Sequence, residues 1–215
     1  MEPASIERLR RQGIRDERVL GAMAALDRRL FVPAAARGEA EEDRPIPIGH
    51  GQTISQPYVV AFMTEALALG GRERVLEVGT GSGWQAALLA RLAAEVWSLE
   101  IVPELAARAA QVLLGELGLR NVHLRVAEGS RGWPEAAPFD RILVTAAPEL
   151  LPVELLTQLA PGGRMVVPVG SQDADAQLLQ IVERDAEGEL SVHPSIPVRF
   201  VPLTTAAPGS SAGVC

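Results

Sequence analysis

The chain contains no lysine, since all 20 of its basic residues are arginine. That excludes any reaction that runs through a lysine amine. With so much alanine alongside, the arginine usage reads as a GC-rich coding bias rather than a functional signal. Cysteine is almost absent. Cys215, the last residue, has no partner for an intrachain disulfide and no thiolate cluster to join, so it reads as a solvated tail thiol. His50, His123 and His193 are far apart and lack zinc-ligand spacing, so no metal is expected. No apolar run approaches the roughly 18 residues of a membrane span, and Met1–Glu7 has no basic region followed by an apolar stretch. No membrane partner is expected, and the cytoplasm is the expected location. Nor is there a block of basic residues. With a net charge of −7 and a pI near 5.1, the chain lacks the clustered phosphate contacts on which non-specific nucleic-acid binding depends.

What is present suits a protein built on one core: 215 residues, 47% of them hydrophobic, with a mean hydropathy of +0.14. Periodicity predicts helices over Ile6–Gln12 and Asp16–Leu26, with Asp16 as the N-cap of the second. Arg37–Arg44 reads as a charged connector, and Pro45–Gln52 is too rich in proline and glycine to be helical. A further helix is predicted from Ser55–Pro57 to about Leu69. Strands and helices then alternate, with strands at Arg74–Val78, Glu95–Leu99, Val122–Val126, Arg141–Val144 and Arg164–Val167. The intervening helices are Gln85–Leu92, Glu104–Leu117 and Pro152–Leu159, with a turn at Leu159–Gly163 leading into the fifth strand. This rhythm predicts an α/β protein with a mostly parallel sheet. Gln177–Arg184, Leu190–His193 and Ser195–Phe200 read as strands of an antiparallel edge. The small, polar stretch 206–215 reads as a flexible tail.

Within this pattern, Val75–Trp84 reads as a buried strand entering a glycine turn and then a helix. Gly79, Gly81 and Gly83 permit positive φ and a close approach of backbone to ligand. A turn at the carboxyl end of a strand is where open α/β sheets bind nucleotides. Trp84 occupies the place where a dinucleotide fingerprint needs its third glycine, which disfavours a nicotinamide oxidoreductase. Glu77-x-Gly79-x-Gly81-x-Gly83 instead resembles the first motif of S-adenosylmethionine-dependent methyltransferases. Glu100, at the tip of the next strand, can accept hydrogen bonds from ribose hydroxyls. An ordinary carboxylate at a helix start is the alternative. Glu128 could accept from an adenine amino group while Gly129 lets the ring lie close to the backbone. The Thr145 end of the fourth strand would line the same crevice, and Asp140, at its start, reads as a turn residue at the opposite side of the sheet.

A second segment, Ile48-Gly49-His50-Gly51-Gln52-Thr53-Ile54-Ser55-Gln56-Pro57-Tyr58, is by local signals only a loop before a helix. Taken with Val75–Gln85, Gly132-Trp133-Pro134, Asp140–Pro148, Gln158–Gly170 and Val198–Leu203, it resembles the protein-L-isoaspartate (D-aspartate) O-methyltransferase family, and the likeness covers nearly the whole chain. The block Gly51–Pro57 is specific to that family among methyltransferases.

The resemblance implies a Rossmann-like S-adenosylmethionine-dependent methyltransferase fold: a mostly parallel seven-stranded sheet with an antiparallel edge, plus N-terminal helices. It implies one domain over 1–205, with the helices and substrate loop in 1–56 and the cofactor-binding sheet and C-terminal strands in 57–205. The implied activity is methyl transfer from S-adenosylmethionine to the free carboxylate of L-isoaspartyl and D-aspartyl residues in damaged proteins or peptides. S-adenosylhomocysteine is the product, and the ester collapses through a succinimide. On this likeness Ser55 is the catalytic residue that aims the carboxylate. Substrate binding falls to Thr53, Ile54, His50, Gln52, Val198 and Arg199. Cofactor binding falls to Glu77, Gly79, Thr80, Gly81, Ser82, Gly83, Glu100, Glu128, Gly129 and Thr145. A monomer is expected.

The family usually has aspartate at Glu128, and the extra methylene moves the carboxylate by ~1.5 Å. Trp84 stands where tyrosine is common, and Ser130 and Arg131 also depart from the usual pattern. Two other readings stay open: a methyltransferase of the same fold acting on another peptide carboxylate, and a non-catalytic nucleotide-sensing module.

Overall fold

A computed structural model describes residues 1–173 and 176–204. The predicted tail at 206–215, with Cys215, lies outside the described residues. Nine strands among the described residues form two sheets. β1 (Ile46–Gly49) and β2 (Gln52–Ile54) make a small antiparallel hairpin. The main sheet has seven strands in the order β5-β4-β3-β6-β7-β8-β9. They are β3 (Arg74–Val78), β4 (Glu95–Glu100), β5 (Val122–Val126), β6 (Phe139–Val144), β7 (Leu159–Val169), β8 (Gln177–Arg184) and β9 (Leu190–Val198). Pairings from β5 across to β7 are parallel, and β8 and β9 add an antiparallel edge. This is the predicted fold class. The chain runs outward from β3 to β4 and β5, then returns to lay β6 on the other side. The strand order therefore reverses beside β3, where a crevice opens at the carboxyl ends of the strands.

Alternation along the strands divides the apolar side chains between two clusters. Val75, Val96, Leu143 and Val166 face a cluster shared with α2 (Glu17–Ala24), α3 (Pro57–Ala66) and α4 (Trp84–Leu92). Leu76, Val78, Ile142, Val144 and Met165 face the other, with Leu155 of α6 (Val153–Thr157). Buried on both faces, the centres of β6 (Ile142–Val144) and β7 (Met165–Val167) appear in the sequence as short apolar runs, whereas β3 and β4 carry the buried polar Glu77 and Ser98.

The N-terminal helices α1 (Pro3–Arg11) and α2 pack on this core. Asp16 caps α2 as predicted, accepting from the amides of Arg18 at 2.8 Å and Val19 at 3.4 Å. At the far end of α3, Arg164 Nη1 donates to Ala66 O at 2.9 Å and Arg141 Nε to Leu67 O at 2.7 Å. Two sheet arginines thus satisfy carbonyls that the helix end leaves unpaired.

Several predicted elements are corrected. The segment over Pro45–Gln52 is non-helical, yet it is a hairpin rather than a loop. Its turn uses His50 (φ 54°) and Gly51 (φ 70°), the left-handed geometry of a tight hairpin turn. The connector 37–44 begins inside a 3-10 helix, Ala34–Glu39. The helix predicted over Glu104–Leu117 is α5 (Pro103–Ala110) followed by a π-helical turn, Gln111–Glu116. The predicted helix Pro152–Leu159 shortens to α6, because Leu159 already pairs with Phe139 at the start of β7. Leu190–His193 and Ser195–Phe200 are one strand, β9, ending at Val198. Pro194 and Pro197 fit within it because β9 is an edge strand. Asp140 lies at the start of β6, where Oδ2 accepts the Arg74 amide at 2.8 Å.

Candidate active site

A cleft of about 430 Å³ opens at the carboxyl ends of the parallel strands, within the usual size of small-ligand sites. Its floor is the glycine turn after β3, and its walls come from the ends of β4 and β6 and from Gly129 beyond β5. Residues 52–56 and the first turns of α3 cover one side, and residues 197–204, the end of β9 and the segment beyond it, cover another. Glu100 and Arg199 are the charged residues among the described ones that line it.

The turn is held by backbone and by one acid. The amides of Gly79 and Thr80 donate to Leu99 O at 2.8 and 3.0 Å. Gly81 N donates to Glu100 Oε2 at 2.7 Å, and Val102 N to Glu100 Oε1 at 2.9 Å. Glu100 is 6% exposed, so the two amides replace much of its lost hydration and fix the carboxylate at the rim. Each of its oxygens keeps a further lone pair for a ligand hydroxyl. Thr145 Oγ1 donates to Gly79 O at 2.6 Å. Gly79 has φ of 98°, and a Cβ there would lie 2.3 Å from that hydroxyl, so only glycine fits.

Of the site residues predicted from sequence, Gly79, Thr80, Gly81, Ser82, Glu100, Gly129, Thr145, Gln52, Thr53, Ile54, Ser55, Val198 and Arg199 all line the cleft. The structure does not bring four others to it. Glu77 follows the alternation of β3 onto the Val75 face and is fully buried. It meets Ser98 Oγ, which also contacts Thr80 Oγ1 at 2.6 Å. Burial, reinforced by the charge of Glu100 and only partly offset by the Ser98 hydrogen bond, pushes the Glu77 carboxyl up to about 8. Gly83, at the N-cap of α4, faces away: a Cβ there would lie 3.2 Å from Ala109 of α5 and from Leu113. Its bareness serves helix packing. Glu128 pairs instead with the Ser130 hydroxyl and lies 3.9 Å from Arg131. His50 sits exposed at the hairpin tip, away from the cleft wall. Gly129 does line the cleft, but its missing side chain first makes room for Val78, whose Cγ1 would lie 2.3 Å from a Cβ.

Sequence reasoning missed Val59 and Met63, which line the cleft from α3, and Ile101, directly after Glu100. It also missed Gln177. That side chain, 2% exposed, accepts from Phe200 N at 2.6 Å and donates to Phe200 O at 3.1 Å. It thereby acts as a strand partner for the segment beyond β9. The next residues dock on the end of β6, with Ala147 N donating to Val201 O at 2.8 Å and Leu203 N to Ala147 O at 2.9 Å. The signal available for Val59 and Met63 was their spacing on one face of α3. None existed for Gln177.

No group of three or more metal-ligating side chains occurs among the described residues, and no helix there is long and apolar enough to cross a membrane.

Residues 2–207 match the family model for protein-L-isoaspartate (D-aspartate) O-methyltransferase. A protein-L-isoaspartate O-methyltransferase of Anaeromyxobacter dehalogenans (strain 2CP-C) is 65% identical over 202 residues, covering 94% of this chain and 96% of the relative. That of Myxococcus xanthus (strain DK1622) is 58% identical over 197 residues, covering 91% and 92%. A solved structure of a protein-L-isoaspartate O-methyltransferase superposes with a TM-score of 0.86 at 26% identity, over 96% of this chain and 67% of that one.

Proposed function

Because the chain belongs to the protein-L-isoaspartate (D-aspartate) O-methyltransferase family, and so methylates L-isoaspartyl residues of damaged proteins from S-adenosylmethionine, we propose a division of labour within its cleft. The glycine turn and Glu100 hold the donor, and the loop from Gln52 to Gln56 aims the acceptor. The observation that carries this reading is that both segments line one cleft, with the acid of the donor half already pinned to the turn.

The donor half fits an adenosine. Glu100 offers free lone pairs to the ribose hydroxyls, and Ile101, Val78 and Leu203 supply apolar surface for a purine. Gly79, Thr80, Gly81 and Ser82 present backbone to the remainder of the ligand. When bound, S-adenosylmethionine supplies an electrophilic methyl group on a sulfonium sulfur.

The acceptor carboxylate, with an ordinary pKa near ~4, is ionised at neutral pH and needs no general base. Its oxygen lone pair forms the new O–CH3 bond as the S–CH3 bond breaks, and the electron pair stays on sulfur. The task left to the protein is orientation and exclusion of water. Ser55 donates its hydroxyl to the carboxylate, Thr53 and Ile54 shape the loop, and Gln52 contacts the peptide. Val198 and Arg199 grip the substrate main chain at the mouth, where an exposed guanidinium draws in the carboxylate. A backbone-directed grip tolerates varied neighbouring side chains, which suits repair of many proteins. D-aspartyl residues are accepted as well. Residues 1–205 work as one catalytic unit, a cytoplasmic monomer with no nucleic-acid partner.

Methyl transfer from labelled donor to paired isoaspartyl and aspartyl peptides tests the acceptor class. Transfer to the isoaspartyl form alone supports it, and the reverse selectivity overturns it.

A further inference from the structure

Arg28 is the most deeply buried cation of the fold, with no exposed surface. A buried guanidinium needs acceptors for its N–H groups and carries a desolvation cost when they are missing. The two Nη groups of Arg28 find them on backbone alone, while its buried Nε has no partner among the described residues. Nη1 donates to Ala40 O at 2.8 Å and Glu42 O at 3.1 Å; Nη2 donates to Arg44 O at 3.2 Å and Ser55 O at 3.0 Å. Its planar head also sits over the Trp84 ring, 4.9 Å from the centroid, within the range of a cation–π contact. Burial draws its pKa down to about 10, with Glu41 and Asp43 acting in the opposite direction. It remains a cation at neutral pH.

These contacts join three parts of the site. The 40–44 segment leads into the hairpin, Ser55 lies between β2 and α3, and Trp84 opens the helix that follows the glycine turn. On its amino side, Ser55 is set by the Ile46↔Ile54 pairing of the hairpin. On its carboxyl side, α3 begins at Pro57, with Asp43 Oδ1 accepting the Tyr58 amide at 3.0 Å. Only Arg28 grips the Ser55 peptide itself through a side chain among the described residues. Because that grip is on the carbonyl, the hydroxyl stays available to the cleft that Ser55 lines.

We infer that Arg28 is a positioning residue for methyl transfer, holding the Ser55 peptide in register with the donor half of the cleft through its simultaneous contact with Trp84. This rests on the acceptor-aiming role of Ser55 given above. Lysine cannot replace it, because a single ammonium cannot span four carbonyls and a ring. A shift of about 1 Å in an aiming group costs up to roughly 100-fold in rate, so the effect belongs in turnover more than in donor affinity.

The test is a double-mutant cycle of Arg28→Lys and Ser55→Ala, reading turnover on an isoaspartyl peptide, donor affinity by calorimetry and thermal midpoint. Arg28→Met serves in place of Arg28→Lys if the lysine variant does not fold. Arg28→Lys is expected to lower turnover by about 10- to 100-fold, with donor affinity within about threefold. In the Ser55→Ala background the same change is expected to cost less than about threefold, because residues acting as a unit are non-additive. An equal loss in both backgrounds would overturn the inference and make Arg28 a purely structural group. Failure of both Arg28 variants to fold or bind donor would overturn it in the same way. If Ser55→Ala alone leaves turnover unchanged, the acceptor-aiming reading itself falls and the Arg28 inference falls with it, a result distinct from additivity.

Discussion

Gly81 and Glu100 are joined by a 2.7 Å hydrogen bond from the glycine amide to the carboxylate Oε2. The acid at the end of β4 therefore braces the turn at the end of β3 before any ligand is considered. Its second oxygen takes the Val102 amide, so the carboxylate also ties the turn to the start of α5.

Glu100→Ala removes an acceptor for the turn and, on the proposed division of the cleft, for the ribose as well. Hydrogen bonds to charged groups contribute about 1.5–3 kcal/mol, so donor affinity should fall by about 10- to 100-fold. Calorimetric titration with donor checks this. Unchanged affinity would mean that the adenosine does not lie against β4.

Gly83 separates packing from binding. Its φ of 87° and the proximity of Ala109 and Leu113 predict that Gly83→Ala lowers stability by roughly 1–3 kcal/mol in urea titration. Donor affinity of the folded protein should stay within about threefold, since the missing side chain points at α5 rather than at the cleft. A loss of donor affinity without loss of stability would return Gly83 to the binding surface.

Glu77 is protonated at neutral pH because its carboxyl is pushed up to about 8, chiefly by burial and then by the charge of Glu100. The folded state thus holds a proton that the unfolded chain releases near the ordinary carboxylate value. The contribution of this group to stability is complete at low pH and is lost as pH rises through about 8. Glu77→Gln mimics the protonated form, so its thermal midpoint should gain on the parent between pH 5 and pH 9. Parallel pH profiles would show that the group is ionised in the fold.

Much of this architecture was legible because apolar, β-branched stretches bounded by turn signals mark the strands. Arg74–Val78 and Val122–Val126 coincide with β3 and β5 residue for residue, although β5 is an edge strand buried only at Val122. The hairpin was hidden because Pro47, Gly49 and Gly51 break both periodicities, and the pairing that makes it a strand is only a few residues long. Proline misled again at Pro194, where the edge position of β9 makes the missing N–H harmless. In the cleft, residue types pointed to Glu100 and the glycines as candidates, but not to which way each one faces. Glu77 and Gly83 belong to the motif yet turn toward the core, a matter of strand alternation and helix packing that no spacing rule reports. Arg28 and Gln177 act on the backbone of residues far along the chain, so their roles exist only in three dimensions.

The division of the cleft into donor and acceptor halves is tested most directly by Ser55→Ala, with turnover on an isoaspartyl peptide and donor affinity measured on the same preparation. Turnover should drop by about 10- to 100-fold while donor affinity stays within about threefold. Unchanged turnover, or a loss of donor binding as large as the loss of turnover, would contradict the assignment of Ser55 to the acceptor.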